Sequence, residues 1–103
     1  MKIIEKMSKM VGEELHDAKK YILCAMESKA EHPEVAELFA SLSDEEMQHM
    51  DRLHKSVVKI ITNYRQQNGE PPAAMLAVYN YLHEQWIEKA DKVKAIQRKY
   101  NEM

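Results

Sequence analysis

Chain breakers are scarce in this sequence, with two glycines and three prolines among 103 residues. Long helices need few breaks, so the chain suits a soluble, mostly helical protein and leaves little material for a turn-rich one. Cysteine is rarer still. The lone Cys24 cannot form an internal disulfide and fits a cytoplasmic setting, where its plain reading is a small buried apolar residue. Charge of one sign is missing too: the net charge is −2, with Lys and Arg scattered among Asp and Glu. No basic patch forms, which excludes nucleic acid as an expected partner. No run approaches the roughly 18 apolar residues of a membrane span. The opening MKIIEKMSKM carries charges at Lys2, Glu5, Lys6 and Lys9, leaving no room for the apolar core of a signal peptide. A Gly-rich phosphate loop is absent, and His83-Glu84-Gln85-Trp86-Ile87 lacks the second histidine of a zinc-protease HExxH helix.

What remains is 45% hydrophobic and 31% charged, enough for one domain spanning 1–103. A chain this short buries only about two-thirds of its unfolded surface. Two breaks divide it. Ala30-Glu31-His32-Pro33 ends one helix and opens the next, and Asn68-Gly69-Glu70-Pro71-Pro72 does the same again. The expected helices cover about 2–30, 33–67 and 72–101. Short connections make an antiparallel up-down-up all-α chain the simplest topology.

Alternating steps of three and four residues trace an apolar stripe on each helix. The first reads Ile4, Met7, Val11, Glu14, Ala18, Tyr21, Ala25. The second reads Val35, Phe39, Leu42, Glu46, His49, Leu53, Ser56, Ile60. The third reads Met75, Tyr79, Leu82, Trp86, Ala90, Val93, Ile96 or Gln97, Tyr100. Two stripes carry ionisable residues near their middles, and the third carries none. Leu15, Ile22, Met26, Met50, Val57 and Ile61 widen the stripes beyond one seam, so further copies of the chain are expected to cover them. At least a dimer is expected. Gly12 inside the first helix costs about 1 kcal/mol relative to alanine and marks either a kink or a close approach.

A fold-back near residue 31 sets Glu14, about 17 residues before the turn, level with His49, about 17 after it. Glu46 lies one helical turn from His49 on the same face. Three ionisable groups thus converge where apolar residues belong, and desolvating them without compensation costs several kcal/mol. A metal cation supplies that compensation. Carboxylates with a single imidazole favour iron or manganese over zinc, whose structural sites favour Cys and His. Two plainer readings compete. In one, Ser43-Asp44-Glu45-Glu46 is a capping box, which needs a helix start near residue 42. In the other, Glu14, Glu46 and His49 form a metal-free polar network that fixes register in a non-enzymatic assembly module. Asp17 and Tyr21 follow Glu14 at one and two turns; they can serve as outer partners of a ligand, or as a solvated carboxylate and a packing ring. His16, His32 and His54 read as surface histidines, Glu13 and Glu45 as surface acids. Folding back again at about residue 70 sets Ala90 and Val93 opposite the trio, which makes the third helix cover for the site.

One Glu and one Glu-x-x-His give an incomplete ligand set. A two-fold partner presenting the same trio would bring four carboxylates and two imidazoles together, the set of a dinuclear carboxylate-bridged centre. The pattern Glu14-x3-Ala18-x2-Tyr21 followed by Glu46-x2-His49 resembles one half of a rubrerythrin-type bundle of the ferritin-like superfamily. Its half-length form is similar to encapsulated ferritins. The resemblance covers residues 10–60 and hardly touches the third helix. A second Glu-x-x-His and a four-cysteine rubredoxin module are missing, and no shell-targeting extension follows Tyr100. The resemblance implies Glu14, Glu46 and His49 as ligands to two iron ions per site, formed between chains, with Tyr21 matching an aromatic position beside them. It also implies oxidation of ferrous iron by oxygen or peroxide, a ferroxidase-type or peroxidase-type activity.

Overall fold

A computed structural model describes residues 2–103. Three helices account for nearly all of it: α1 spans Lys2–Ser28, α2 Pro33–Asn68 and α3 Ala73–Glu102. Each end falls within about two residues of its sequence-based position, because the same few breakers act. Pro33 occupies the first turn of α2, where its missing N–H removes nothing the helix needs. Gly69 adopts φ 79° and its N–H returns to the Arg65 carbonyl at 3.0 Å. That left-handed conformation is cheap only for glycine. Pro72 then accepts the first amides of α3, from Met75 and Leu76 at 3.0 and 3.1 Å.

The molecule is a slender rod, 56 × 18 × 17 Å, about as long as the 36-residue α2 at 1.5 Å per residue. The central helix is α1. It packs along α2 and also carries α3, so its buried face is wide: Ile4, Ser8, Val11, Leu15, Ala18, Ile22 and Ala25. On α2 the buried residues are Ala36, Ser43, Met50, Val57 and Ile61. This corrects the expected seam. Residues read as its edge, among them Leu15, Ile22, Met50 and Val57, lie at its centre, whereas Met7, Glu14, Tyr21, Phe39, Leu42, Glu46 and Leu53 are only half-buried. The shift follows from α3, which draws the buried face of both neighbours toward itself.

Three apolar clusters follow one another along the rod. Ile22, Ala25, Ala36 and Tyr100 fill the end near the first turn. Val11, Leu15, Met50, Trp86 and Ala90 fill the middle, and Ile4, Val57 and Ile61 the far end. One polar stitch joins all three helices: the Ser43 hydroxyl donates to the Ala18 carbonyl at 2.7 Å, and Gln97 Nε2 donates to Ser43 Oγ at 3.0 Å. Ser43 therefore sits mid-helix in an unbroken α2, and the capping-box reading of Ser43–Glu46 falls. Gly12 is no close approach, since a Cβ built there meets nothing within 4 Å. Cys24 is half-buried, not buried, because it lies on the flank of α1 that neither α2 nor α3 covers fully. None of the described helices is long and apolar enough to cross a membrane.

Candidate metal centre

The side of the α1–α2 pair that α3 leaves uncovered forms an open groove of about 390 Å³, lined in part by Met7, Met10, Glu14, His49, Arg52 and Leu53. Glu14 reaches it from α1. His49 reaches it from α2, and Glu46 stands one turn earlier on the same face. One ligand atom from each of the three lies within 4.8 Å of the other two. The level-matching of Glu14 with His49 across the first turn is therefore found in the fold.

The distances have chemical content. His49 Nδ1 stands 3.7 Å from Glu14 Oε2 and 3.9 Å from Glu46 Oε2. Both exceed the roughly 2.7–3.2 Å of a hydrogen bond. They suit two ligand atoms that share one ion: at about 2.1 Å from it, such atoms stand at most about 4.2 Å apart. Glu14 Oε2 is sealed from solvent and has no hydrogen-bond partner, a costly arrangement for a carboxylate oxygen. The residues present thus fit a cation in charge and donor type, and His49 fits it in its spacing from both carboxylates. Side-chain exposure is 24% for Glu14, 19% for Glu46 and 51% for His49. This corrects the picture of a trio enclosed in the seam: the trio forms half a cage, closed on the α1–α2 side and open on the other.

The flanking residues divide. Asp17 is half-buried but outside the converging group. Tyr21, also half-buried, stacks on Phe39 with centroids 6.4 Å apart and planes at 22°, which makes it a packing ring between α1 and α2. Glu13, Glu45, His16 and His32 are exposed as expected. His54 is not a surface residue: it is half-buried, with Nε2 sealed and unbonded. The reason is α3, which turns His83 and Trp86 onto that face of α2. The wide hydrophobic band of α2 gave the only sequence signal for it. Behind the trio, Trp86 and Ala90 of α3 pack with Leu15 and Met50, the chain neighbours of Glu14 and His49. Helix α3 thus lies behind the trio and not over it, which corrects the expectation that it covers the site, and it contributes none of the three converging ligand atoms.

The chain matches no family model, no curated protein and no solved structure.

Proposed function

We propose that this chain is a metal-binding helical protein whose Glu14–Glu46–His49 trio, doubled by a second copy across the open groove, holds a pair of iron ions. Manganese suits the same donors. The observation that carries this reading is the sealed, unbonded Glu14 Oε2 facing His49 Nδ1 across a gap too wide for a hydrogen bond. The metal-free network has less support, because it needs those same groups to bond to one another.

The requirement for a second copy rests on two features of the open face. Three ligands leave an iron ion under-coordinated. Apolar residues along the two helices also lack cover: Met10 beside the trio, Ile3 farther along α1, and Val35 and Leu38 near the start of α2 are all exposed. A two-fold axis over the groove would bury that surface and return the identical trio from the partner, giving a four-helix centre of two Glu and two Glu-x-x-His.

In such a centre the four carboxylates would neutralise the ions, and the two His49 rings would complete the donor set. Met7, Met10 and Leu53 would shield the groove from bulk water and strengthen those charge interactions. When bound, iron supplies one-electron chemistry, and the activity proposed is oxidation of ferrous iron by oxygen or peroxide. The test is anaerobic loading with ferrous ion followed by air, comparing the native chain with Glu46→Ala. The native chain should retain iron through gel filtration and develop near-ultraviolet ferric absorption. Equal iron retention by the variant, with its helices intact by circular dichroism, would remove the proposal.

A further inference from the structure

The N-terminal half of α3 is held more loosely than the rest of the molecule. Every buried residue of α3 lies at Trp86 or beyond: Trp86, Ala90, Val93 and Tyr100. From Ala73 to Gln85 only partly buried side chains such as Tyr79, Leu82 and His83 touch the body. Open grooves flank this half on both sides. One, about 300 Å³, runs between α1 and α3 past Ile4, Ser8 and Tyr79. The other, about 280 Å³, runs between α2 and α3 past Ile61, Arg65 and His83. Ser8 Oγ is sealed there with no partner.

This half meets α2 through an imidazole pair and through Tyr79, which packs against the cluster of Ile4, Val57 and Ile61. The rings of His54 and His83 meet edge to face with centroids 4.8 Å apart and planes at 84°. Tyr79 and Trp86 complete the group: the Tyr79 hydroxyl stands 3.4 Å from His83 Nδ1, and Trp86 lies 6.0 Å from His54 and 6.3 Å from His83. We infer that the His54–His83 contact is a proton-operated clasp: neutral, it ties the N-terminal half of α3 to α2, and protonation of the pair releases that half from the rod.

Two like charges this close repel, and an imidazolium at His54 has no acceptor for Nε2, which is sealed without a partner. The other charged groups nearby do not offset this. Asp51 of α2 favours the charged ring, but less than burial and His83 oppose it, so His54 is held below its ordinary value of 6.5. Arg65 of α2 acts on Tyr79, whose own hydroxyl is pushed up by burial. From α1, the residues clustered with Trp86 and Tyr79 are Ile4, Met7, Val11 and Leu15, and Glu5 borders the α1–α3 groove. The sign follows. A histidine whose folded value is depressed leaves stability intact above about pH 6.5 and removes it as pH falls through the folded value. Freed of the clasp, the segment between the buried Pro71 and Trp86 would loosen in place and uncover Ile4, Val57 and Ile61.

Trp86, the only tryptophan, reports on the pair directly. In the native chain its emission should step as the pH falls below about 6.5. Over the same fall in pH, amide exchange across residues 73–85, corrected for intrinsic rate, should rise about ten-fold relative to 90–100. The double substitution His54→Gln, His83→Gln should abolish the step. Equal exchange of the two halves before and after that fall overturns the inference whether or not the variant folds, and so does a step that persists in a folded double variant. Both readouts are made without metal, so the outcome is independent of the iron proposal.

Discussion

Two imidazole-bearing clusters lie on different sides of α2, and they differ in what surrounds the ring. His49 faces two carboxylates in a groove, with more than half of its side chain exposed. His54, five residues later and so about 140° around the helix, faces another imidazole and a tryptophan beneath α3. In the first cluster two carboxylates share one imidazole at 3.7 and 3.9 Å, and the fitting addition is a cation. In the second, burial works against charge, and the fitting state is neutral. One helix therefore presents the same residue type as a candidate ligand on one side and as a neutral fastener on the other. The three sealed polar atoms without partners among the described residues, Glu14 Oε2, His54 Nε2 and Ser8 Oγ, all belong to these two regions.

Breaking the carboxylate cluster should have the largest effect. Glu46→Ala is expected to weaken ferrous binding by more than about 100-fold, since even outer partners of a ligand are worth about 10–100-fold. Calorimetric titration under anaerobic conditions reads this, and unchanged far-ultraviolet dichroism separates it from misfolding. Leu15→Ala probes the apolar middle cluster instead. It should cost about 2–5 kcal/mol in urea unfolding, because Leu15 is 1% exposed. A smaller loss belongs to Ser43→Ala. Removing the hydroxyl that joins Ala18 to Gln97 should cost about 1 kcal/mol, read from the same unfolding midpoint. Gly12→Ala has the opposite sign: with open space around the new methyl, it should stabilise the chain by about 0.5–1 kcal/mol. A stability loss there would place the second copy closer to α1 than the proposed two-fold arrangement allows.

The helix boundaries were legible in the sequence because Pro33, Gly69 and Pro72 act locally, whatever the rest of the chain does. The convergence of Glu14 with Glu46 and His49 was legible for a related reason: in an antiparallel pair, distance from the turn sets the level. The rotation of each helix was not. A stripe of period three to four is broad, and its centre depends on where the third helix docks. Placing α3 moved the buried centre from Glu14 and Glu46 to Leu15 and Met50 and opened the trio to one side. The half-burial of His54 was hidden for the same reason, since it depends on α3 laying His83 and Trp86 over it.

The central claim is that the trio is half of a shared cation cage. Anaerobic titration of the native chain with ferrous ion, its mass followed by sedimentation, tests it most directly. The account predicts saturation at about one ion per chain, carried by a species of twice the chain mass. Ferrous ion that never saturates, or that saturates on a species with the mass of a single chain, would contradict it.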